Sequence, residues 1–250
     1  HKSLYYREQL EEALDEGILA KAGLIAHGRG EALDYIIGER TIEPAEKALD
    51  AMAASFVVAE DPVISVNGNV TALVPEEIIN LSKASNAKIE VNLFYKTEER
   101  VKKIKQKFHE QDPETKLYGL QKNENLKSIP NLDSKRGKVD PEGIWKSDMV
   151  FVPLEDGDRT EALLDMNKKV VTVDLNPLSR TGRKADITVV DNITRCLPKL
   201  TEKIQKMKKE EAEKILKNYD NKKILSEVLT HMSNRLQELA DKGLEKEFKE

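Results

Sequence analysis

Five short apolar runs, at residues 63–66, 89–93, 149–154, 170–173 and 187–190, leave this chain few architectures to adopt. They are rich in valine and isoleucine, which suit a pleated and packed surface, and most lack the polar alternation of a strand with one wet face. Each is short for a helix, and turn residues such as Asn67-Gly68-Asn69 bound them. The intervals between them carry helical patterns at about 75–84, 97–109 and 159–166. Strands alternating with helices need crossover connections, so the reading is an α/β, Rossmann-like fold: a mostly parallel sheet with helices on both faces. A weaker strand is expected near Leu117. The polar stretch 121–142 offers few core residues and reads as a surface excursion, able to form a flap over a site.

Before the first strand, Leu4, Tyr5, Leu10 and Leu14 predict a helix over 3–16 that Gly17 stops, and Pro44 opens a second over 44–57. Between them, Gly23-Leu24-Ile25-Ala26-His27-Gly28-Arg29-Gly30-Glu31 joins an apolar approach to a glycine-flanked arginine, followed by a short helical pattern through Ile37. The glycines predict a loop that brings backbone N–H groups and Arg29 to a helix start, where unpaired amides favour an anion. Beyond Pro198 lysine and glutamate dominate, yet Leu225, Val228, Leu229, Met232, Leu236 and Leu239 recur at helical spacing. That stripe is expected to pack on the body or on a second copy of it. The domain reading is therefore 1–198 as a Rossmann-like body, with N-terminal helices within 1–60, and 199–250 as a charged helical extension.

Charge and motif content remove several function classes. Lys and Arg number 41 against 45 Asp and Glu, a net charge of -4, which gives no reason to expect nucleic acid or an anionic membrane as partner. No apolar segment approaches the roughly 20 residues of a membrane span, and the start lacks the apolar core of a secretory signal. Cys196 is the only cysteine, which suits a reducing compartment, so a cytoplasmic location is expected. There is no Gly-x-x-x-x-Gly-Lys-Ser/Thr loop, no Gly-x-Gly-x-x-Gly after a strand, no Gly-x-Ser-x-Gly elbow and no histidine pair at metal-ligand spacing.

Ligands of open parallel sheets bind beyond the carboxyl ends of the strands, and the polar clusters of this chain fall there. They are Asn67-Gly68-Asn69, Glu155-Asp156-Gly157-Asp158-Arg159, Asp174-Leu175-Asn176 and Asp191-Asn192. Asp174 stands where an acidic side chain can accept hydrogen bonds from ribose hydroxyls. Ser179-Arg180-Thr181 joins a guanidinium to hydroxyls suited to phosphate oxygens, and Arg29 suits a phosphorylated substrate. Glu155, Asp156 and Asp158 could hold Mg²⁺, position or deprotonate an incoming amine, or cap the helix that follows. Asn67, Asn69 and Arg159 of these clusters, with His27 of the glycine-rich segment, are candidates for substrate contact.

Six blocks in order carry a more specific signal: 22–31, 63–69, 90–95 (Glu-Val-Asn-Leu-Phe-Tyr), 139–144 (Val-Asp-Pro-Glu-Gly-Ile), 153–162 and 173–181. Together they resemble the archaeal 4-phosphopantoate:β-alanine ligases, also called phosphopantothenate synthetases, over about residues 4–197. The resemblance implies a homodimeric enzyme of coenzyme A biosynthesis that condenses 4-phosphopantoate with β-alanine, converting ATP to AMP and diphosphate through an acyl-adenylate. It implies ATP contacts at Arg7, Arg29, Asp174, Leu175, Asn176, Arg180, Thr181, Asn192 and Ile193. Arg29 and Arg180, with Mg²⁺, would meet the charge that builds up in the reaction, and Asp156 and Asp158 join them as catalytic candidates. Two other readings compete: a nicotinamide-dependent oxidoreductase with a divergent glycine loop, and a non-catalytic nucleotide-binding scaffold.

Overall fold

Six strands of the chain lie parallel in the order β3-β2-β1-β6-β7-β8, the doubly wound order of dinucleotide folds once an inserted two-stranded ribbon is set aside. The computed structural model describes residues 2–121, 123–132, 137–154 and 157–242. Three helices precede the sheet: α1 (Lys2–Asp15), α2 (Lys21–Ile37) and α3 (Glu43–Val58). The first half of the sheet follows as β1 (Pro62–Val66), α4 (Gly68–Leu73), α5 (Pro75–Ser85), β2 (Lys88–Val91), α6 (Glu98–Gln111) and β3 (Leu117–Tyr118). After the antiparallel ribbon of β4 (Lys127–Ser128) and β5 (Lys138–Val139) come β6 (Met149–Phe151), α7 (Gly157–Asp165), β7 (Lys169–Val173), α8 (Arg180–Lys184) and β8 (Ile187–Val189). The chain continues through α9 (Ile193–Lys206), α10 (Lys209–Asn218) and α11 (Asn221–Lys242).

The strand residues divide by parity, as a pleat requires. Ile64, Val66, Phe151, Val171, Val173, Ile187 and Val189 join one core with α3, α5 and α9, and the register sets Ile64 beside both Ile89 and Phe151. Val63, Val150 and Val170 point the other way, into a smaller core with Ala162 and Leu163 of α7. Ile129, Val139 and Ile144 belong to that second core, so the stretch read as a surface flap is instead part of the sheet's covering layer. Its few apolar residues are placed where the sheet needs them, and residues 133–136 lie outside those described.

The C-terminal stripe packs on the body. Leu225, Val228 and Met232 are buried in the larger core, α11 lies against α3 and α2, and α9 runs through Pro198 without a break. Leu229 and Leu236 of the same stripe remain exposed. No helix among the described residues is long and apolar enough to cross a membrane.

Candidate active site

The winding reverses between β1 and β6, and the loops leaving the carboxyl ends part there. A cavity of about 330 Å³ spans the ends of β1, β6, β7 and β8, roofed by α2 and closed on one side by α1. Arg29, Asp174, Leu175, Asn176, Asn192 and Ile193, all assigned to ATP by resemblance, line it, as do His27 and Asn69 from the substrate set.

The glycine-rich segment corrects one expectation. Residues 21–37 form one continuous helix, so His27-Gly28-Arg29-Gly30 is helix interior and its amides are not gathered at a helix start. Glycine here serves close approach: a Cβ on Gly30 would stand 3.2 Å from Leu175 Cδ1, and one on Gly23 only 2.6 Å from Asn69 Oδ1. The helix therefore lies directly on the strand-end loops, and its 3.6-residue period turns His27, Gly30, Glu31 and Asp34 together toward the cavity.

Two arginine clamps hold α2 in place. Arg195 Nη1 and Nη2 donate to the two oxygens of Asp34 at 3.0 and 2.5 Å, while its Nε donates to Asp191 Oδ1 at 2.8 Å. Asp191 also accepts from Thr41 Oγ1 at 2.7 Å, and Asn192 Nδ2 donates to Asp34. Burial opposes the charge of Arg195, but the two carboxylates outweigh it and raise its pKa. On the α1 side, Arg7 donates from Nη2 at 2.7 Å and from Nε at 3.1 Å to Glu31, which also accepts from Tyr35 Oη at 2.9 Å. Burial pushes Glu31 up, yet the hydrogen bonds from Arg7 and Tyr35 prevail and hold its carboxyl below the ordinary value. Arg7 thus reaches the cavity wall through Glu31.

Asp174 leaves β7 into the cavity. Its carboxylate accepts from the Asn176 N–H at 2.9 Å and from Ser179 Oγ, and Arg29 acts on it electrostatically. Burial nonetheless raises its pKa. Leu175 and Ile193 are buried beside it and give the cavity an apolar floor. Asn192 caps α9 through Oδ1, which accepts from the Thr194 N–H at 3.1 Å.

Other expected site residues are placed elsewhere. Arg180 is half exposed and paired with Asp158, crossing above Gly157, where a Cβ would come within 2.5 Å of it; neither partner lines the cavity. Thr181 is buried in the first turn of α8. Asn67 is buried as the cap of α4, and its Nδ2 donates to the carbonyl of Pro153 at 3.1 Å, so it ties the β1 loop to the β6 loop rather than facing a ligand. Asn69, which does line the cavity, donates from Nδ2 to the Gly23 carbonyl at 3.0 Å. Arg159 is fully buried in the first turn of α7, and its Nη1 donates to Ser65 Oγ of β1 at 3.0 Å. Its charge acts on Glu90, which burial pushes up to about 7 against hydrogen bonds from the Ile144 and Asp140 amides. Among the described residues no group of three or more His, Cys, Asp or Glu side chains is gathered to hold a metal, and Glu155 and Asp156, two of the residues expected to hold Mg²⁺, lie outside them.

Asp34 and Arg195 line the cavity and were not singled out by sequence reasoning, nor was the part that Glu31 and Asp191 play in anchoring α2. Two signals were present: Glu31 and Asp34 follow His27 by four and seven positions, one face of a helix, and Arg195 follows Asp191 by four.

Residues 44–235 match the family model described as phosphopantothenate/pantothenate synthetase. The chain belongs to that family. A 4-phosphopantoate--beta-alanine ligase of Thermococcus kodakarensis is 60% identical over 245 residues, covering 97% of this chain and 93% of that one. Proteins of the same name from Thermococcus onnurineus and Methanosarcina mazei are 58% and 44% identical, over 97% and 96% of this chain and 93% and 94% of theirs. All are from archaea. The family model begins after α1 and α2, but the alignments to these synthetases extend over nearly the whole chain and so include the helix that roofs the cavity.

Proposed function

We propose that this protein condenses 4-phosphopantoate with β-alanine, using ATP and releasing AMP and diphosphate through an acyl-adenylate, as a cytoplasmic homodimer. The observation that carries the reading is the composition of one cavity: a strand-end carboxylate, Asp174, beside an apolar floor of Leu175 and Ile193, with Arg29 and Glu31 of α2 also lining it and Glu31 paired with Arg7. A ribose donates to the carboxylate, a base lies on the apolar floor, and Arg29 meets phosphate charge. The names of the full-length relatives supply the acid and the amine.

A carboxylate is a poor acylating agent because oxide is a poor leaving group; attack on the α-phosphate replaces oxide with AMP, which the amine then displaces. The chain's own contribution is positioning and fixed positive charge, held in advance by the clamps on α2. No side-chain nucleophile is needed. The test is the complete reaction with oxygen-18 in the phosphopantoate carboxylate: AMP carrying label supports the adenylate. ADP with label in inorganic phosphate would overturn the adenylate while leaving the ligase. Binding of NAD(P), with no AMP or ADP released, would overturn the ligase itself.

A further inference from the structure

We propose that His27 is the base that takes the proton from the ammonium of the incoming amine. The inference rests on the ligase reading and deepens it. Amide formation needs a neutral amine, and β-alanine arrives protonated, so some group in the cavity must accept a proton just before attack.

Among the described residues, the carboxylates of the cavity are committed elsewhere. Glu31 is held by Arg7 and Tyr35, Asp34 by Arg195 and Asn192, and Asp174 by Ser179 and the Asn176 amide. Glu39 is exposed at the rim. Asp158 is engaged by Arg180 outside the cavity. The imidazole of His27, by contrast, lines the cavity and makes no hydrogen bond among the described residues. Burial lowers its pKa, and Arg7 of α1 adds to that, against Glu31 and Asp34 of its own helix. Lys2 and Arg29 add positive charge to the same cavity, with Arg195 and Asp174 on its far wall. His27 is therefore neutral at physiological pH and free to accept. Once it is protonated, Glu31, one helical turn away, stabilises the imidazolium.

One proton passes from the β-alanine ammonium to a ring nitrogen of His27, and the freed lone pair forms the C–N bond to the activated carbonyl carbon. The C–O bond to the phosphate then breaks with its electron pair leaving on AMP, and the second nitrogen proton passes to water.

The experiment compares wild type with His27→Gln in three assays. Amide formation from β-alanine at neutral pH should fall by about 10²- to 10⁴-fold, the range of a positioned acid–base group. Exchange of labelled diphosphate into ATP, with 4-phosphopantoate and no amine, should fall far less. Hydroxylamine, which is already unprotonated at neutral pH, should form hydroxamate with the variant at a rate near that of wild type. In wild type the rate at low β-alanine should rise with pH through an inflection below the ordinary histidine value, and the variant should lack it. Amide formation within threefold of wild type, or a loss with hydroxylamine as large as with β-alanine, would overturn the role. Absence of exchange in wild type itself would count against the adenylate alone, and the amide and hydroxamate arms would still decide on His27.

Discussion

Arg195→Met tests whether the roof of the cavity is held by a desolvated charge cluster. The side chain of Asp191 is fully buried, that of Asp34 is 8% exposed, and Arg195 is 23% exposed. Removing the cation leaves two carboxylates in a site built to bind a guanidinium. Breaking a buried pair by deleting one partner costs about 3–5 kcal/mol. Here Asp191 keeps Thr41 Oγ1 and Asp34 keeps Asn192 Nδ2, so the lower end, about 3 kcal/mol, is expected. For a chain of this length that corresponds to roughly 6–12 °C in Tm. Guanidinium denaturation followed by far-UV circular dichroism would measure it. Asp34→Asn combined with Arg195→Met should cost less than the two single changes added together, because the second removes the charge the first left unpaired, with a coupling of about 2 kcal/mol. Arg195→Lys should fall between, since an ammonium cannot match the fork that spans both carboxylates. A loss below about 1 kcal/mol with additive double-mutant values is the behaviour of a solvated surface pair and would refute the reasoning.

Glu90→Gln should remove a pH dependence of stability: burial raises Glu90 from 4.5 to about 7, so its contribution is fully present below 4.5 and lost as pH rises to 7. Wild type should therefore lose on the order of 3 kcal/mol relative to the variant over that window, and parallel profiles in denaturant titrations would contradict it. Gly28→Ala meets nothing within 4 Å and should raise stability by up to about 1 kcal/mol with activity retained; a stable but inactive variant would mean that a ligand lies against that face. Asp174→Ala should raise KM for ATP by about tenfold or more, the size of a hydrogen bond to a charged group, with kcat less affected. A loss confined to kcat would move Asp174 from nucleotide binding into the chemistry.

Much of the architecture was legible because parallel strands must be covered on both faces. Val63 to Val66 and Val170 to Val173 have no wet side, and no other common arrangement hides such runs at that spacing. The strand-end position of Asp174 was legible for the same reason, since the strand that ends at Val173 fixes where the next carboxylate emerges. The 23–31 segment was misread because local propensity counts the cost of three glycines in a helix and cannot count what offsets it. Two of those glycines let α2 touch Leu175 and Asn69, a contact that exists only after the sheet has formed. The burial of Arg159 was not legible for a related reason: its hydrogen bond to Ser65 and its charge acting on Glu90 join it to strands distant in sequence.

The clamps were hidden more deeply, because each joins residues distant in sequence: Asp34 to Arg195 across 161 positions and Arg7 to Glu31 across 24. No period or spacing connects them. What connects them is α2, whose cavity face carries both acidic anchors, Glu31 and Asp34, three residues apart. Arg29 and His27 lie within that helix, so the geometry of the groups expected to meet phosphate and amine is set by ion pairs that touch neither. An arginine in a cavity is free to meet a ligand only when the carboxylates around it are already satisfied, and Glu31 and Asp34 are satisfied by other arginines. The two clamps therefore both fix α2 over the strand ends and leave Arg29 and His27 uncommitted among fixed charges, the condition under which electrostatic preorganisation can act on a reacting group.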